Sequence, residues 1–192
     1  MFIKNGWIMT RERRNMKKNS GKIFEDQLKA SIPDYALLYK IPDVSRKYGE
    51  SSEKIARNNL KACKNPFDFI LWNSKTRVLF ALECKTVKGK SIAFEREGDK
   101  ECKGIHWHQI KGLTKWSEYD GICAGFIIEF REIETTIFLN IKEFNKLIDL
   151  NDKKSFNIKD LESAGIKYII IPQKLKRIRY TYDIEELLNG GE

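Results

Sequence analysis

The sequence predicts an α/β fold, a mixed β-sheet with helices on its faces, and three observations carry that prediction. An apolar period of four opens the ordered-looking part of the chain, at Phe24, Leu28 and Ile32. Short apolar runs of strand length fill the centre, among them Phe67–Trp72, Arg77–Cys84, Gly121–Phe130 and Thr135–Ile141. A helical pattern over 104–118 interrupts those runs, and alternation of this kind layers helices on a sheet.

Taken in order, residues 1–19 read as a basic N-terminal arm and residues 20–192 as one domain. Ser20 is placed to cap a first helix over 21–32, which Pro33-Asp34 ends. Tyr35–Ile41 reads as a strand. Residues 42–65 are polar, basic and punctuated by Gly and Ser, so they read as an insertion rather than core. The runs Phe67–Trp72 and Arg77–Cys84, separated by Asn73-Ser74-Lys75-Thr76, carry a hairpin signature. Residues 86–103 read as a loop, with an acidic run (Glu95, Glu97, Asp99, Glu101) that disfavours contact with DNA. Beyond the central helix and its two following strands, Lys142–Leu150 and Asp160–Ala164 read as short helices and Ile166–Ile171 as a buried strand. A basic stretch over 172–180 and a last helix, Asp183–Asn189, close the chain.

Composition narrows the function. The net charge is +9, with 33% charged residues. The excess is uneven. Residues 1–22 hold seven basic side chains against one acid, 39–64 hold seven against three, and 172–180 hold four against none. Together these segments carry +14, so the rest of the chain carries −5. Basic clusters around an acidic remainder suit a cation-binding centre inside a phosphate-binding surface. No apolar stretch approaches the ~20 residues of a membrane helix. Cys63, Cys84, Cys102 and Cys123 form no CxxC pair and read as reduced thiols of a cytoplasmic protein. His106 and His108, with Cys102, lack a fourth zinc ligand.

The hairpin holds the chemistry. With Ser74-Lys75 as its turn, Asp68 falls opposite Ala81 and one diagonal step from Glu83. Strand alternation then sets Asp68, Glu83 and Lys85 on one face. Two carboxylates at that spacing can converge on one hard divalent ion, with an ammonium beside them. The same residues can also form nothing more than a structural ion pair of Lys85 with Asp68 or Glu83.

Asn65-Pro66-Phe67-Asp68, fourteen residues, then Glu83-Cys84-Lys85 resembles the PD-(D/E)XK nuclease motif. The flanking segments, Asn19–Glu25, Lys90–Phe94, His106–Ile110, Gly121–Phe130, Thr136–Ile141 and Arg177–Leu187, resemble the RecU-type Holliday junction resolvases. The resemblance implies a restriction-endonuclease-like fold with a protruding stalk insertion at 42–65. It implies a homodimer that uses Mg²⁺, with Mn²⁺ as a substitute, to nick four-way DNA junctions. By that resemblance Asp68, Glu83 and Gln109 are metal-site residues, Lys85 stabilises the transition state, and Glu25 supports the site. Arg13, Arg14, Lys17, Lys18, Arg46, Lys47, Arg57, Lys61 and Lys64 are the candidate DNA contacts. Pro66 departs from the pattern, because it stands where the family often has a Thr ligand. A nuclease of the same fold with another DNA target, or a DNA-binding module without catalysis, are the alternatives.

Overall fold

The first helix of the structure, α1 (Ser20–Lys29), buries Phe24 and Leu28, the apolar period read from the sequence. The structure is a computed structural model that describes residues 20–42, 65–150 and 152–190. The N-terminal arm, nearly all of the insertion, and the nine basic residues assigned to DNA in those two segments lie outside the described residues.

Six strands form one sheet: β1 (Ala36–Lys40), β2 (Phe69–Asn73), β3 (Leu79–Val87), β5 (Ile122–Phe130), β6 (Thr135–Asn140) and β8 (Ile169–Ile171), in the order β1-β2-β3-β5-β6-β8. Only β3 and β5 run parallel; the other neighbours are antiparallel. The parallel pair needs a crossover, and α2 (Trp107–Trp116) supplies it. Helices therefore cover both faces, as the sequence predicts.

Each face has its own core. On one face Ala81, Ala124, Phe126 and Ile128 meet Ile110 and Leu113 of α2 and Phe144 of α3 (Ile141–Leu150). On the other, Phe80, Leu82, Cys123 and Ile127 meet α1, Tyr182 and the last helix, α5 (Glu185–Asn189). Strand alternation sorts the residues of β3 between these two cores. Among the described residues no helix is long and apolar enough to cross a membrane.

Three expectations need correction. The hairpin register is shifted by two residues: Phe69 pairs with Leu82, which sets Asp68 across from Glu83 rather than Ala81. The cause is a four-residue loop over 74–77. The Asn73 side chain accepts from the Lys75 amide at 3.0 Å, and Arg77 adopts a left-handed φ of 61°. Because the shift is even, the facing of every side chain is preserved. Residues 86–103 are not all loop. They contain the end of β3 and a short strand β4 (Ser91–Ala93) that pairs with β7 (Ser155–Asn157). The basic stretch is itself a hairpin of β9 (Gln173–Lys176) and β10 (Arg179–Tyr182). The His106 and His108 rings stack at 5.5 Å, with His106 just before the first helical turn of α2. One more short helix, α4 (Ile158–Ser163), begins on an Asn157 cap.

Candidate active site

The sheet brings Asp68, Glu83, Lys85 and Gln109 together at one end of β2 and β3. Asp68 precedes β2, where its amide donates to the Leu82 carbonyl at 3.1 Å and its Oδ2 accepts from the Cys84 amide at 3.0 Å. These two bonds fix the carboxylate across the strand gap from Glu83. Glu83 is 3% exposed, next to the buried Phe126 on β5. Lys85, two residues on, turns to the same face and places Nζ 3.1 Å from Glu83 Oε1. The ion pair anticipated as the simpler reading of E-x-K is therefore present, inside the carboxylate cluster.

Gln109 reaches this cluster from α2. Its Nε2 donates to Glu83 Oε1, and its Oε1 accepts from the His106 amide at 3.0 Å. The side chain thus joins the start of α2 to β3. Ligation of a metal through the amide oxygen requires the amide to turn over.

Electrostatics mark the pair. Burial raises the pKa of Glu83, Asp68 raises it further, and Lys85 only partly compensates, leaving it near 8. Burial also raises Asp68, with Glu25 adding to the effect against the Cys84 amide and Lys85. Two facing carboxyls that each resist ionisation form an oxygen donor set lacking positive charge, and a hard divalent cation fits that deficit. Among the described residues no group of three or more His, Cys, Asp or Glu side chains clusters as a metal centre. Among the described residues Asp68 and Glu83 are the carboxylates that face each other across β2 and β3.

Glu25, on α1, is paired with Lys40 at the end of β1. Both act on Asp68, the carboxylate raising and the ammonium lowering its pKa. Sequence reasoning missed Lys40. Its signal was there: it is the one cation of Ala36-Leu37-Leu38-Tyr39-Lys40, at the strand end that meets the motif.

Glu95 was also misread. It is 6% exposed and accepts from the Cys102 amide at 2.7 Å, the Trp107 amide at 2.8 Å and His106 Nδ1 at 2.7 Å. Burial opposes its ionisation, but these three partners hold its pKa down to about 2. A carboxylate at the start of α2 also complements the helix dipole. Asp99 accepts from the Arg96 amide at 2.8 Å and pairs with Lys154 at 2.5 Å. Two members of the acidic run therefore brace the segment that leads into α2. Cys84, between the motif residues, points away from them toward the second core, as strand alternation requires.

The chain is similar to known proteins. The family model described as RecU, Recombination protein U, matches residues 84–186. An uncharacterized SPbeta prophage-derived protein of Bacillus subtilis strain 168, YotM, is 28% identical over 183 residues, covering 88% of this chain and 85% of that one. A solved structure of Hjc, described as a Holliday junction resolvase from the archaeal hyperthermophile Archaeoglobus fulgidus, aligns with a TM-score of 0.39 and 12% identity over 81% of this chain and 99% of that chain. The RecU model spans more than half of the chain, from the Cys84-Lys85 end of the motif through α2 and β5 into α5, so the chain belongs to the RecU (Recombination protein U) family.

Proposed function

We propose that this protein is a Mg²⁺-dependent endonuclease that resolves four-way DNA junctions by paired nicks, acting as a homodimer in the cytoplasm. The observation that carries the metal-dependent reading is the facing of half-buried Asp68 and buried Glu83, two carboxyls with raised pKa values beside the Lys85 ammonium. A bound divalent cation would polarise the scissile phosphate and acidify an attacking water.

The chain's own residues have distinct tasks in this reading. Asp68 and Glu83 hold the cation, and the Cys84 amide keeps Asp68 aimed at it. Lys85 sits within ion-pair range of Glu83 and supplies positive charge for the phosphorane-like transition state. Gln109 sets the rotamer of Glu83, or ligates the cation through its oxygen once the amide has turned over. Glu25, paired with Lys40, acts on Asp68 against the opposing effect of that ammonium, so the pair tunes the carboxyl without adding a free charge. Water attack on this arrangement leaves a 5′-phosphate.

Incubating purified protein with a synthetic four-way junction, with Mg²⁺ or with EDTA, tests the proposal. Paired, ligatable nicks that need the metal support it. Cleavage in EDTA removes the metal role. Equal competition by the component duplexes removes the preference for junctions.

A further inference from the structure

The β9–β10 hairpin is chemically two-faced. Alternation puts Lys174 and Lys176 on one side of β9, and the pairing register sets Thr181 and Arg179 opposite them. That side is polar and cationic. The other side carries Gln173, Leu175, Tyr180 and Tyr182, and Tyr182 is buried in the second core. Tyr182 and half-buried Tyr180 fasten the root of the ribbon to the protein, while Leu175 nearer the tip is exposed, and the cationic side faces outward.

The cations are not spent on the protein. Lys174, Lys176, Arg177 and Arg179 are exposed, and among the described residues none of them forms an ion pair with the protein. The ribbon has no acidic residue. Lys176 and Arg179 are directly cross-strand, an arrangement that like charges disfavour unless an anion lies over them. Arg177 holds a left-handed φ of 58° at the turn, where Gly would be easier. Beside it Ile178 is 86% exposed. A two-stranded ribbon of this width fits a DNA groove.

Its root is tied to the end of the sheet that carries the candidate active site, on the opposite face. Tyr182 OH donates to Glu129 Oε1 at 2.9 Å, and Thr86, the residue after Lys85, donates to Glu129 Oε2 at 2.6 Å. The Tyr182 amide donates to Ser31 Oγ at 3.0 Å, and its ring meets Phe24, the neighbour of Glu25, at 5.4 Å. The ribbon therefore leaves the sheet from the end that carries Lys85.

We infer that the β9–β10 ribbon is a duplex-DNA contact, its cationic face lying on backbone phosphates next to the strand being cut. This rests on the nuclease reading above and adds a surface to it. Phosphate contacts carry no base information, so the ribbon serves a junction arm and a linear duplex alike.

The test compares the wild type with a triple variant, Lys176→Ala, Arg177→Ala and Arg179→Ala. A charge-matched control carries Lys142→Ala, Lys146→Ala and Lys167→Ala, around the cavity at the opposite end of β5. Binding to a labelled junction and to a labelled linear duplex is read by fluorescence anisotropy in EDTA across salt concentrations. Melting temperature checks the fold. The ribbon variant should lose about tenfold or more in affinity for both DNAs. Its slope of log K against log salt should shrink by roughly 2–3, near 0.9 for each lost phosphate. The control should keep the wild-type slope. Wild-type affinity and slope in the ribbon variant, or the same loss in the control, overturn the ribbon while leaving the nuclease reading intact. A wild type that binds and cuts no DNA overturns the nuclease reading itself, and the ribbon with it.

Discussion

Gln109 donates to the buried carboxylate of Glu83 from one end of its amide and accepts from the His106 backbone with the other. Two residues 26 apart in sequence, one on a helix and one on a strand, are thereby coupled at the centre of the site. The helix contributes its first turn and the strand its charged end. Whatever moves the start of α2 moves Glu83.

Replacing Gln109 with Ala removes this coupling. The loss of a hydrogen-bond partner to a metal-holding carboxylate typically costs about 10–100-fold in metal affinity or activity. Cleavage measured against Mg²⁺ concentration should show a higher half-saturating level, with part of the rate restored by excess metal. An unchanged Mg²⁺ profile would show that Glu83 needs no such positioning.

Glu83→Ala should abolish cleavage and leave junction binding near wild type, because phosphate contacts elsewhere carry affinity. Binding in EDTA and cleavage in Mg²⁺ separate the two effects. Retained Mg²⁺-dependent cleavage by this variant would remove Asp68 and Glu83 as the metal site.

Stability should fall with rising pH when no metal is bound. Glu83 has a folded-state pKa of about 8 against an ordinary value of 4.5, so the folded protein holds this proton more tightly than the unfolded chain. The contribution is whole below about pH 4.5 and disappears as pH rises toward 8. Melting temperatures in EDTA should therefore decline between pH 5 and 8. Mg²⁺, which favours the ionised carboxylates, should flatten the decline. Glu83→Gln should also flatten it, and a wild-type slope in that variant assigns the titration to other groups.

The parity of the motif was legible in the sequence and its register was not. Any even shift keeps Asp68, Glu83 and Lys85 on one face, so alternation alone identified the cluster. The two-residue error came from Arg77, since a left-handed residue that is not Gly or Asn gives no local signal. Strands β4 and β7 were invisible because each has three residues and its partner lies over 60 residues away. Lysines and arginines hid the β9–β10 hairpin, because Lys174, Lys176 and Arg179 take three of the eight positions in two strands of only four residues each. Glu95 reads as one more surface acid until the fold sets it against three donors.

Glu95 should matter to stability in the opposite pH range. Its folded pKa of about 2 lies below the ordinary 4.5, so its contribution is present above pH 4.5 and lost as pH falls toward 2. Glu95→Ala leaves the Trp107 and Cys102 amides without their acceptor, at a cost of roughly 2–3 kcal/mol at neutral pH. Denaturant unfolding at pH 7 and pH 3 checks both statements. The gap between wild type and variant should narrow in acid, and a gap that is constant with pH would mean the carboxylate is not ionised where it sits.

Gly112 tests the placement of α2 by sterics alone. A Cβ there would lie 2.5 Å from Pro66 Cβ, 3.0 Å from Pro66 Cα and 3.2 Å from its carbonyl oxygen. Neither a proline ring nor a backbone can swing aside, so Gly112→Ala must push the helix off the segment that leads into Asp68. In an open helix the same change would stabilise by up to about 1 kcal/mol. Here the overpacking cost, about 1–3 kcal/mol, should reverse the sign. The displacement would also draw Gln109, one helical turn earlier, away from Glu83. The variant should melt lower than wild type and require more Mg²⁺ for half-maximal cleavage. Gly112→Ala with unchanged melting and unchanged Mg²⁺ demand would show that α2 tolerates displacement, and that its contact with Pro66 does not set the position of the site.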